Sequence, residues 1–307
     1  MSADAAPARL STVLLAVLAC LLWSTAFVGV KIGLRYSGPF SFAGIRFMLA
    51  GLLLVPFWWS RRPAFSEISA NLKVIVLVSL FQTFFMYALF YQAMTMTSGA
   101  VAAILIGASP LTAAVTAHFA GADDRMTLPK TISLLLGMAG IVILSISRQP
   151  WQSPTGLREF TGIILLFFCT VSSALGNVLV AGEKSDMDPV FLNSLQIFLG
   201  GFLLFVVSLV MEGTPFVLRP PAYYLALCWL STLSAVAFTL WFVLLQRPGV
   251  RVSHLNLWKF IIPVFGAVFS WLLLPDESPR PASVFGMIII ASSIVLFYLG
   301  DALRAKS

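Results

Sequence analysis

The sequence predicts an all-α integral membrane protein with ten transmembrane helices, arranged as two inverted five-helix repeats. Composition, the spacing of apolar runs and landmarks shared by the two halves lead to this prediction. The chain has 307 residues, of which 59% are hydrophobic and 10% charged, and a mean hydropathy of +0.96. Because a soluble domain carries about 25% charged residues, this composition excludes soluble, disordered and secreted disulfide-rich proteins. The net charge of +7 is then expected from cationic cytoplasmic loops rather than from nucleic-acid binding.

Ten apolar runs each approach or exceed the roughly 20 residues that a membrane-spanning helix requires. Short breaks rich in Pro, Gly and charged residues separate the runs. The runs are continuously apolar, which favours helices over the alternating strands of a membrane barrel. Their approximate bounds are 10–34, 39–60, 71–94, 97–120, 127–147, 157–182, 188–211, 221–246, 250–274 and 280–303.

Lysine and arginine predict the orientation of these spans. With the N-terminus inside, the inner segments carry eleven basic residues and the outer segments carry five. Because cytoplasmic loops hold the excess of basic residues, both termini are expected in the cytoplasm of a bacterial-type inner membrane.

Two proline landmarks recur in each half of the chain, one seven residues before a polar residue and one fourteen residues before an acid. The pairs are Pro39 and Arg46, Pro189 and Gln196, Pro110 and Asp124, and Pro263 and Glu277. Each half holds five spans, an odd number, so the second half enters the membrane from the opposite side. Many secondary transporters build a midplane site between such inverted repeats. The predicted halves are residues 1–150 and 151–307.

Three runs resemble the EamA-type domains of the drug/metabolite transporter superfamily. They are LLWSTAFVGVK at 21–31, SGAVAAILIGASPLTAAV at 98–115 and HLNLWKFIIPVFGAVFSWLLLPDE at 254–277. The first half differs by carrying Asp124 where a Glu is usual. Size and aromatic content are most similar to bacterial amino-acid exporters of the YddG type. The resemblance implies two EamA-like repeats and a transport function.

The sequence contains no recognisable catalytic motif. The two histidines, His118 and His254, have no motif partners, and no metal-ligand or phosphate-binding pattern occurs. We therefore predict that the protein is not an enzyme and has no metal or cofactor. The three cysteines lie in apolar runs and are predicted to be buried packing residues.

Charged residues within spans are the strongest functional signal, because a charge at the bilayer centre costs roughly 3 kcal/mol or more. Arg46 and Lys259 lie about 10 Å and 12 Å deep at ~1.5 Å per residue. Lys259 is the leading substrate-binding candidate, whereas Arg46 either contacts substrate or bridges helix ends and carbonyls. All twelve acids lie in termini, loops or span ends. A cavity whose fixed charges are basic favours a carboxylate or another anionic group on the substrate.

Aromatic and polar residues within spans complete the predicted site, although some of them join helices instead. Gln82 is among the polar residues for which both roles stay open. The predicted substrate-binding residues are Lys259, Trp258, Trp23, Ser24, Tyr87, Tyr91, Asn177, Arg46 and His254. Pro110 and Pro263 stand mid-span at matched positions and are predicted hinges, with a static kink as the alternative.

The sequence therefore predicts a secondary transporter that exports small metabolites, amino acids including aromatic ones, by alternating access at a midplane cavity. Transport of another organic anion or of a nucleotide-sugar-like solute is the first alternative. A polytopic membrane enzyme or a lipid flippase is the second. The predicted partners are a small-molecule substrate and the lipid bilayer.

Overall fold

The structure is a computed structural model of the chain. All regular secondary structure within the residues that it describes is helical. The described residues are 5–59, 65–107, 109–119, 128–146, 154–182, 187–213, 218–248, 250, 255–256, 258–279 and parts of 281–296. His254 and Asp124 lie outside them. The predicted all-helical class is confirmed for this part of the chain.

The main helices within the described residues have the following bounds. They are α1 Ala5–Leu34, α2 Pro39–Trp59, α3 Phe65–Ala70, α4 Leu72–Val78, a π-helix Ser79–Phe85, α5 Met86–Met94, α6 Gly99–Gly107, α7 Ser109–Phe119, α8 Leu128–Ile146, α9 Pro154–Gly182, α10 Pro189–Met211, α11 Pro221–Gln246, a 3₁₀-helix Trp258–Phe260 and α12 Ile261–Leu273.

Six helices of the described residues are long and apolar enough to cross a membrane. They are Ser11–Leu34, Pro39–Trp59, Leu72–Met94, Thr155–Ala181, Pro189–Met211 and Pro221–Gln246. Shorter apolar helices occupy Gly99–Ala113, Ile261–Leu273 and Val284–Ser293. The protein is therefore a multi-pass membrane protein, and the count of ten spans stays a prediction.

Proline sets the start of four long helices, as the sequence breaks suggested. α2, α9, α10 and α11 each begin at a proline, whose fixed φ suits the first helical position and whose missing N–H costs nothing there. Asp188 adds a side-chain cap before α10, since its carboxylate accepts hydrogen bonds from the N–H groups of Val190 (2.8 Å) and Phe191 (3.2 Å).

The larger helix–helix contacts correspond in pairs when the elements of one predicted half are exchanged for those of the other. The exchange replaces α1 by α9, α2 by α10, the π-helix and α5 by α11, and α6 and α7 by α12. This exchange leaves two contacts as they are, the one between α2 and α10 and the one between α6 and α12. The contact between α1 and α11 corresponds to that between α9 and α5. The contact between α1 and α12 corresponds to the contacts of α9 with α6 and α7. The contact between α2 and α11 corresponds to that between α10 and the π-helix.

The α2–α10 contact brings two backbones together. A Cβ atom at Gly201 would lie 2.7 Å from the backbone nitrogen of Met48, so only glycine fits. Ser194 strengthens the same contact, because its hydroxyl donates to the carbonyl oxygen of Gly51 at 2.9 Å. Small residues that let helix backbones approach are the usual interface of membrane helices.

The outside of the bundle is apolar, as expected of a surface that faces lipid. Phe57, Val210 and Leu272 are 72%, 84% and 75% exposed. Cys228 is also exposed, on α11, whereas Cys20 and Cys169 are buried. The prediction that all three cysteines are buried is therefore wrong for Cys228.

Two glutamates join helix ends at one face of the bundle, which we call the latched face. Glu212, after α10, accepts hydrogen bonds from the N–H groups of Phe40 (2.7 Å) and Ser41 (2.9 Å) at the start of α2. Glu277, after α12, accepts from the N–H groups of Gly99 (2.6 Å) and Ala100 (3.1 Å) at the start of α6. Each carboxylate thus satisfies helix N–H groups that have no partner within their own helix.

Two basic residues add to the latched face. The ammonium of Lys31 donates to the carbonyl oxygens of Met94 (2.8 Å) and Thr97 at the end of α5. Arg35 forms an ion pair with Asp276 at 2.9 Å, and both side chains are largely exposed. Lys31 is therefore held by backbone carbonyls of a neighbouring helix. The contacts at the latched face join residues that are 63 to 241 positions apart in the chain.

Candidate functional site

A cavity lies inside the bundle, lined by residues 23–109 on one side and 170–262 on the other. Its lining residues are Trp23, Ala26, Phe27, Arg46, Gln82, Met86, Tyr87, Phe90, Ile106, Ser109, Thr170, Ser173, Phe238, Lys259 and Ile262. The cavity has a volume of about 60 Å³. The walls are mainly aromatic and aliphatic, and within the described part of the chain none of the lining residues is acidic.

Lys259 places its charge against two aromatic faces. It belongs to the 3₁₀-helix before α12 and is 6% exposed. Its ammonium nitrogen lies 4.8 Å from the ring centre of Trp241 and 5.7 Å from that of Trp23. Such cation–π contacts stabilise a cation by about 0.5–2 kcal/mol. Within the described residues, no carboxylate lies within ion-pair distance of Lys259, so an anionic ligand would find an uncompensated charge.

Arg46 lines the cavity and also joins three helices. Its Nε donates to the hydroxyl of Ser234 (3.0 Å) and the carbonyl oxygen of Leu230 (3.3 Å) on α11. One terminal nitrogen donates to the hydroxyl of Tyr91 on α5 at 2.7 Å. The guanidinium also lies 4.7 Å from the ring centre of Phe47. The structural bridge that the sequence left open is therefore present, while the positive charge remains at the cavity wall.

A cluster of side-chain amides lies beside Trp241. The carbonyl oxygen of Asn177 accepts hydrogen bonds from the indole N–H of Trp241 (3.3 Å) and from the amide nitrogen of Gln82 (3.4 Å). The amide nitrogen of Asn177 donates to the carbonyl oxygen of Asn256 at 3.3 Å. Asn177 is buried and not among the lining residues. Its hydrogen bond with the indole N–H orients the Trp241 ring, and the Lys259 ammonium contacts the face of that ring.

Gln82 belongs to the π-helix, in the middle of the apolar helix Leu72–Met94. A π-helix widens the turn and frequently occurs at functional sites. The hydroxyl of Ser172 on α9 donates to the carbonyl oxygen of Phe81 at 2.6 Å, and the hydroxyl of Thr83 donates to the side-chain oxygen of Gln196 on α10 at 2.7 Å. Contacts with α9 and α10 thus hold this segment in place beside the cavity.

The structure brings together some of the predicted site residues and separates others. Lys259, Trp23, Tyr87 and Arg46 all line the cavity. Tyr87 packs against Phe47 at 4.2 Å between ring centres and against Phe238 at 6.1 Å. These four residues come from α1, α2, α5 and the 3₁₀-helix, so the cavity depends on packing across the whole bundle.

The other predicted residues that the structure describes do not line this cavity. Ser24 is fully buried and its hydroxyl donates to the carbonyl oxygen of Cys20 within α1 at 2.8 Å. Tyr91 is fully buried and accepts its hydrogen bond from Arg46. Trp258 is half-buried and packs against the core. His254 lies outside the described residues.

Several lining residues escaped the sequence-based prediction. Phe238, Met86 and Phe90 resemble many other apolar residues within spans, and no local signal separates them. Ser109 directly precedes Pro110, which is the one local hint that it lies at an unusual place in a helix. Gln82 was recognised as polar and intramembrane, but its direction depends on the π-helix.

The two predicted hinge prolines lie close to the cavity. Pro110 is the second residue of α7, and Pro263 is the third residue of α12, three residues after the end of the 3₁₀-helix. The Pro263 ring packs against Gly107 so tightly that a Cβ atom there would lie 2.3 Å from its Cδ. Both prolines are buried. The hinge role stays a prediction.

Comparisons with known proteins agree with this architecture. The profile of the EamA-like transporter family matches residues 10–146 and 160–299. A WAT1-related chloroplastic protein of Arabidopsis thaliana is 27% identical over 283 residues, covering 90% of this chain and 66% of that protein. An S-adenosylmethionine/S-adenosylhomocysteine transporter of Chlamydia trachomatis is 24% identical over 301 residues, covering 93% and 88%. A crystal structure with 19% identity superposes with a TM-score of 0.67 over 95% of this chain and 98% of that one, which shows a shared fold.

The family and the chlamydial relative are named as transporters. The prediction that the protein is not an enzyme is therefore confirmed. The two profile matches together cover most of the sequence and include the aromatic and basic residues that line the cavity. The chain belongs to the EamA-like transporter family.

Proposed function

We propose that the protein is a secondary transporter that exports small carboxylate-bearing metabolites, amino acids including aromatic ones, through the cavity that contains Lys259 and Arg46. One observation carries the proposal: two cationic side chains line a mainly apolar cavity, and none of its lining residues in the part of the chain that the structure describes is acidic. A carboxylate entering this cavity gains a charge-assisted contact, whereas a cation meets two like charges.

The proposed mechanism is alternating access between ten spans in two inverted repeats, residues 1–150 and 151–307. The helix contacts that map onto one another under exchange of the halves support this arrangement. A cavity lined by both halves is what such a mechanism requires. We further propose that the protein resides in a bacterial-type inner membrane with both termini in the cytoplasm, which makes the latched face periplasmic.

The chlamydial relative adds chemical support, because S-adenosylmethionine and S-adenosylhomocysteine both carry an α-amino-acid end. The cavity volume of about 60 Å³ is well below the roughly 150 Å³ of an apolar cavity that binds benzene, so it is too small for the side chain of an aromatic amino acid. Transport of such a substrate therefore requires a wider state of the cavity during the cycle. Pro110 and Pro263, which lie beside the cavity, are the proposed hinges for this widening.

Counterflow into liposomes that contain the purified protein tests the proposal. The vesicles are loaded in turn with each of the twenty amino acids, S-adenosylmethionine, a nucleotide sugar and a dicarboxylate, and uptake of the labelled form is followed. We expect amino acids to support counterflow and decarboxylated amines of the same shape not to do so. Uptake of the nucleotide sugar alone, or of amines as readily as amino acids, would contradict the proposal.

A further inference from the structure

Three buried polar atoms without hydrogen-bond partners among the described residues belong to residues that line the same cavity. They are the indole nitrogen of Trp23, the side-chain carbonyl oxygen of Gln82 and the hydroxyl of Ser109. Gln82 and Ser109 are 2% and 4% exposed. A buried polar atom without a partner is costly, and nearly all such atoms in proteins are satisfied. A ligand that supplies the missing partners would therefore be favoured here.

These atoms differ in chemistry. The indole N–H of Trp23 and the ammonium of Lys259 can only donate, the hydroxyl of Ser109 can donate or accept, and the carbonyl oxygen of Gln82 can only accept. The two obligate donors are neighbours, since the Lys259 ammonium lies 5.7 Å from the Trp23 ring centre. The two donor groups, on Trp23 and Lys259, can hydrogen-bond to a carboxylate of the ligand. The side-chain oxygen of Gln82 can accept a hydrogen bond from an N–H or O–H group of the ligand.

The amide network determines which end of the Gln82 amide lacks a partner. Trp241 can only donate, so its bond requires the oxygen of Asn177 to face it. The amide nitrogen of Asn177 is already used by Asn256. Gln82 must therefore turn its NH₂ group toward the Asn177 oxygen, and its own oxygen is left without a donor. The hydrogen-bond network therefore sets which end of the Gln82 amide faces Asn177.

Gly176 on α9 provides the space that this oxygen occupies. A Cβ atom at position 176 would lie 2.2 Å from the side-chain oxygen of Gln82, well inside van der Waals contact. An alanine there would push the amide away. Gly176 is thus a second position, on another helix, that controls where the Gln82 oxygen lies.

We propose that Gln82 is a specificity-determining residue whose side-chain oxygen accepts a hydrogen bond from the α-ammonium group of an amino-acid substrate, while Lys259 and the Trp23 N–H bind its carboxylate. This inference rests on the proposed function and refines it. A deaminated acid satisfies the donors alone and leaves Gln82 without a partner. A decarboxylated amine satisfies Gln82 but faces the charges of Lys259 and Arg46. Only the zwitterion satisfies both groups.

Competition binding tests this assignment with three ligands of one side-chain shape. Purified protein in detergent binds labelled L-phenylalanine, and unlabelled L-phenylalanine, 3-phenylpropionate and phenethylamine compete. The measured quantity is the ratio of the 3-phenylpropionate and L-phenylalanine concentrations that halve binding. A hydrogen bond to a charged group corresponds to about tenfold to hundredfold in affinity, so we expect a wild-type ratio in that range.

Gln82→Met keeps the length of the side chain and removes its oxygen, and should bring the ratio close to one. Gly176→Ala should also lower the ratio, because its methyl group displaces the Gln82 amide although Gln82 itself is not replaced. Gln246→Met is the matched control, since Gln246 is a partly buried glutamine at the end of α11, its amide nitrogen also lacks a partner among the described residues, and it is not among the cavity lining residues. It should keep the wild-type ratio in the protein that remains monodisperse on size exclusion.

The outcomes separate this inference from the proposed function. A wild-type ratio retained in Gln82→Met and Gly176→Ala would overturn the role of Gln82 and leave amino-acid transport standing. Direct binding of labelled 3-phenylpropionate, with no binding of L-phenylalanine, would also overturn it while keeping a carboxylate site. Binding of neither ligand by the wild type would contradict both proposals.

Discussion

Replacing Lys259 by methionine tests the charge at the centre of the proposed site. Methionine keeps a long, flexible stem in the same packing and removes only the ammonium group. In the empty protein this change loses the cation–π contacts to Trp23 and Trp241, worth about 0.5–2 kcal/mol. It also relieves the cost of burying a charge that has no carboxylate partner among the described residues. These terms oppose each other, so we expect folding stability to change little.

Substrate binding should change much more. A charge-assisted hydrogen bond to a carboxylate contributes about 1.5–3 kcal/mol, which is about tenfold to hundredfold in affinity. Lys259→Met should therefore weaken L-phenylalanine binding by that factor. Phenethylamine, which lacks the carboxylate, should bind equally well or better because a like charge has been removed. The ratio of the two affinities reports the carboxylate contact separately from any general damage to the cavity.

Lys31→Met provides the matched control for losing an intramembrane lysine. Lys31 bonds to backbone carbonyls at the latched face and is not among the cavity lining residues. Its loss should lower the midpoint of thermal unfolding in detergent and leave the ratio of amino-acid to amine affinities unchanged. If Lys259→Met binds L-phenylalanine as tightly as the wild type, Lys259 is a structural charge and the site is assigned wrongly.

Four further predictions follow from the same features. Arg46→Lys keeps the positive charge but lacks the planar guanidinium that bonds to α11 and Tyr91 at once. The midpoint of thermal unfolding should therefore fall, while the preference for carboxylate ligands persists. Loss of that preference would instead show that Arg46 contacts the substrate directly. Glu212→Gln weakens two hydrogen bonds and should destabilise the protein by about 1–3 kcal/mol, whereas Glu67→Gln, far from the latched face, should not. Reporter fusions at Ser307 should be active only for a cytoplasmic reporter, and a periplasmic signal would refute the ten-span topology. Transport down a substrate gradient should need no pH difference, because all twelve acids lie in termini, loops or span ends; strict dependence on a proton gradient would contradict this.

The sequence by itself determined the features that depend on local chemistry. Low charge and long apolar runs require helices whose backbone groups are satisfied internally in lipid. Proline marks the starts of α2, α9, α10 and α11 because its ring suits the first helical turn. The unusual cost of Arg46 and Lys259 inside a membrane was also visible without coordinates. Both line the cavity.

The tertiary structure decided which of the intramembrane residues meet. Ser24 looked equivalent to Trp23 in sequence, but neighbouring residues on a helix point about 100° apart, and only the packed bundle determines which of the two directions faces the cavity. Tyr91 lies four residues after Tyr87 and shares its helix face, but it is buried against Arg46, and only Tyr87 lines the cavity. The direction in which the Gln82 side chain points depends on the π-helix that contains it.

The latched face shows the same dependence at a longer range. Glu277 looked like an ordinary loop acid, yet it caps a helix that begins 178 residues earlier in the chain. The sequence of one helix end carries no information about which distant carboxylate will satisfy its N–H groups. That pairing exists only once both halves have packed together.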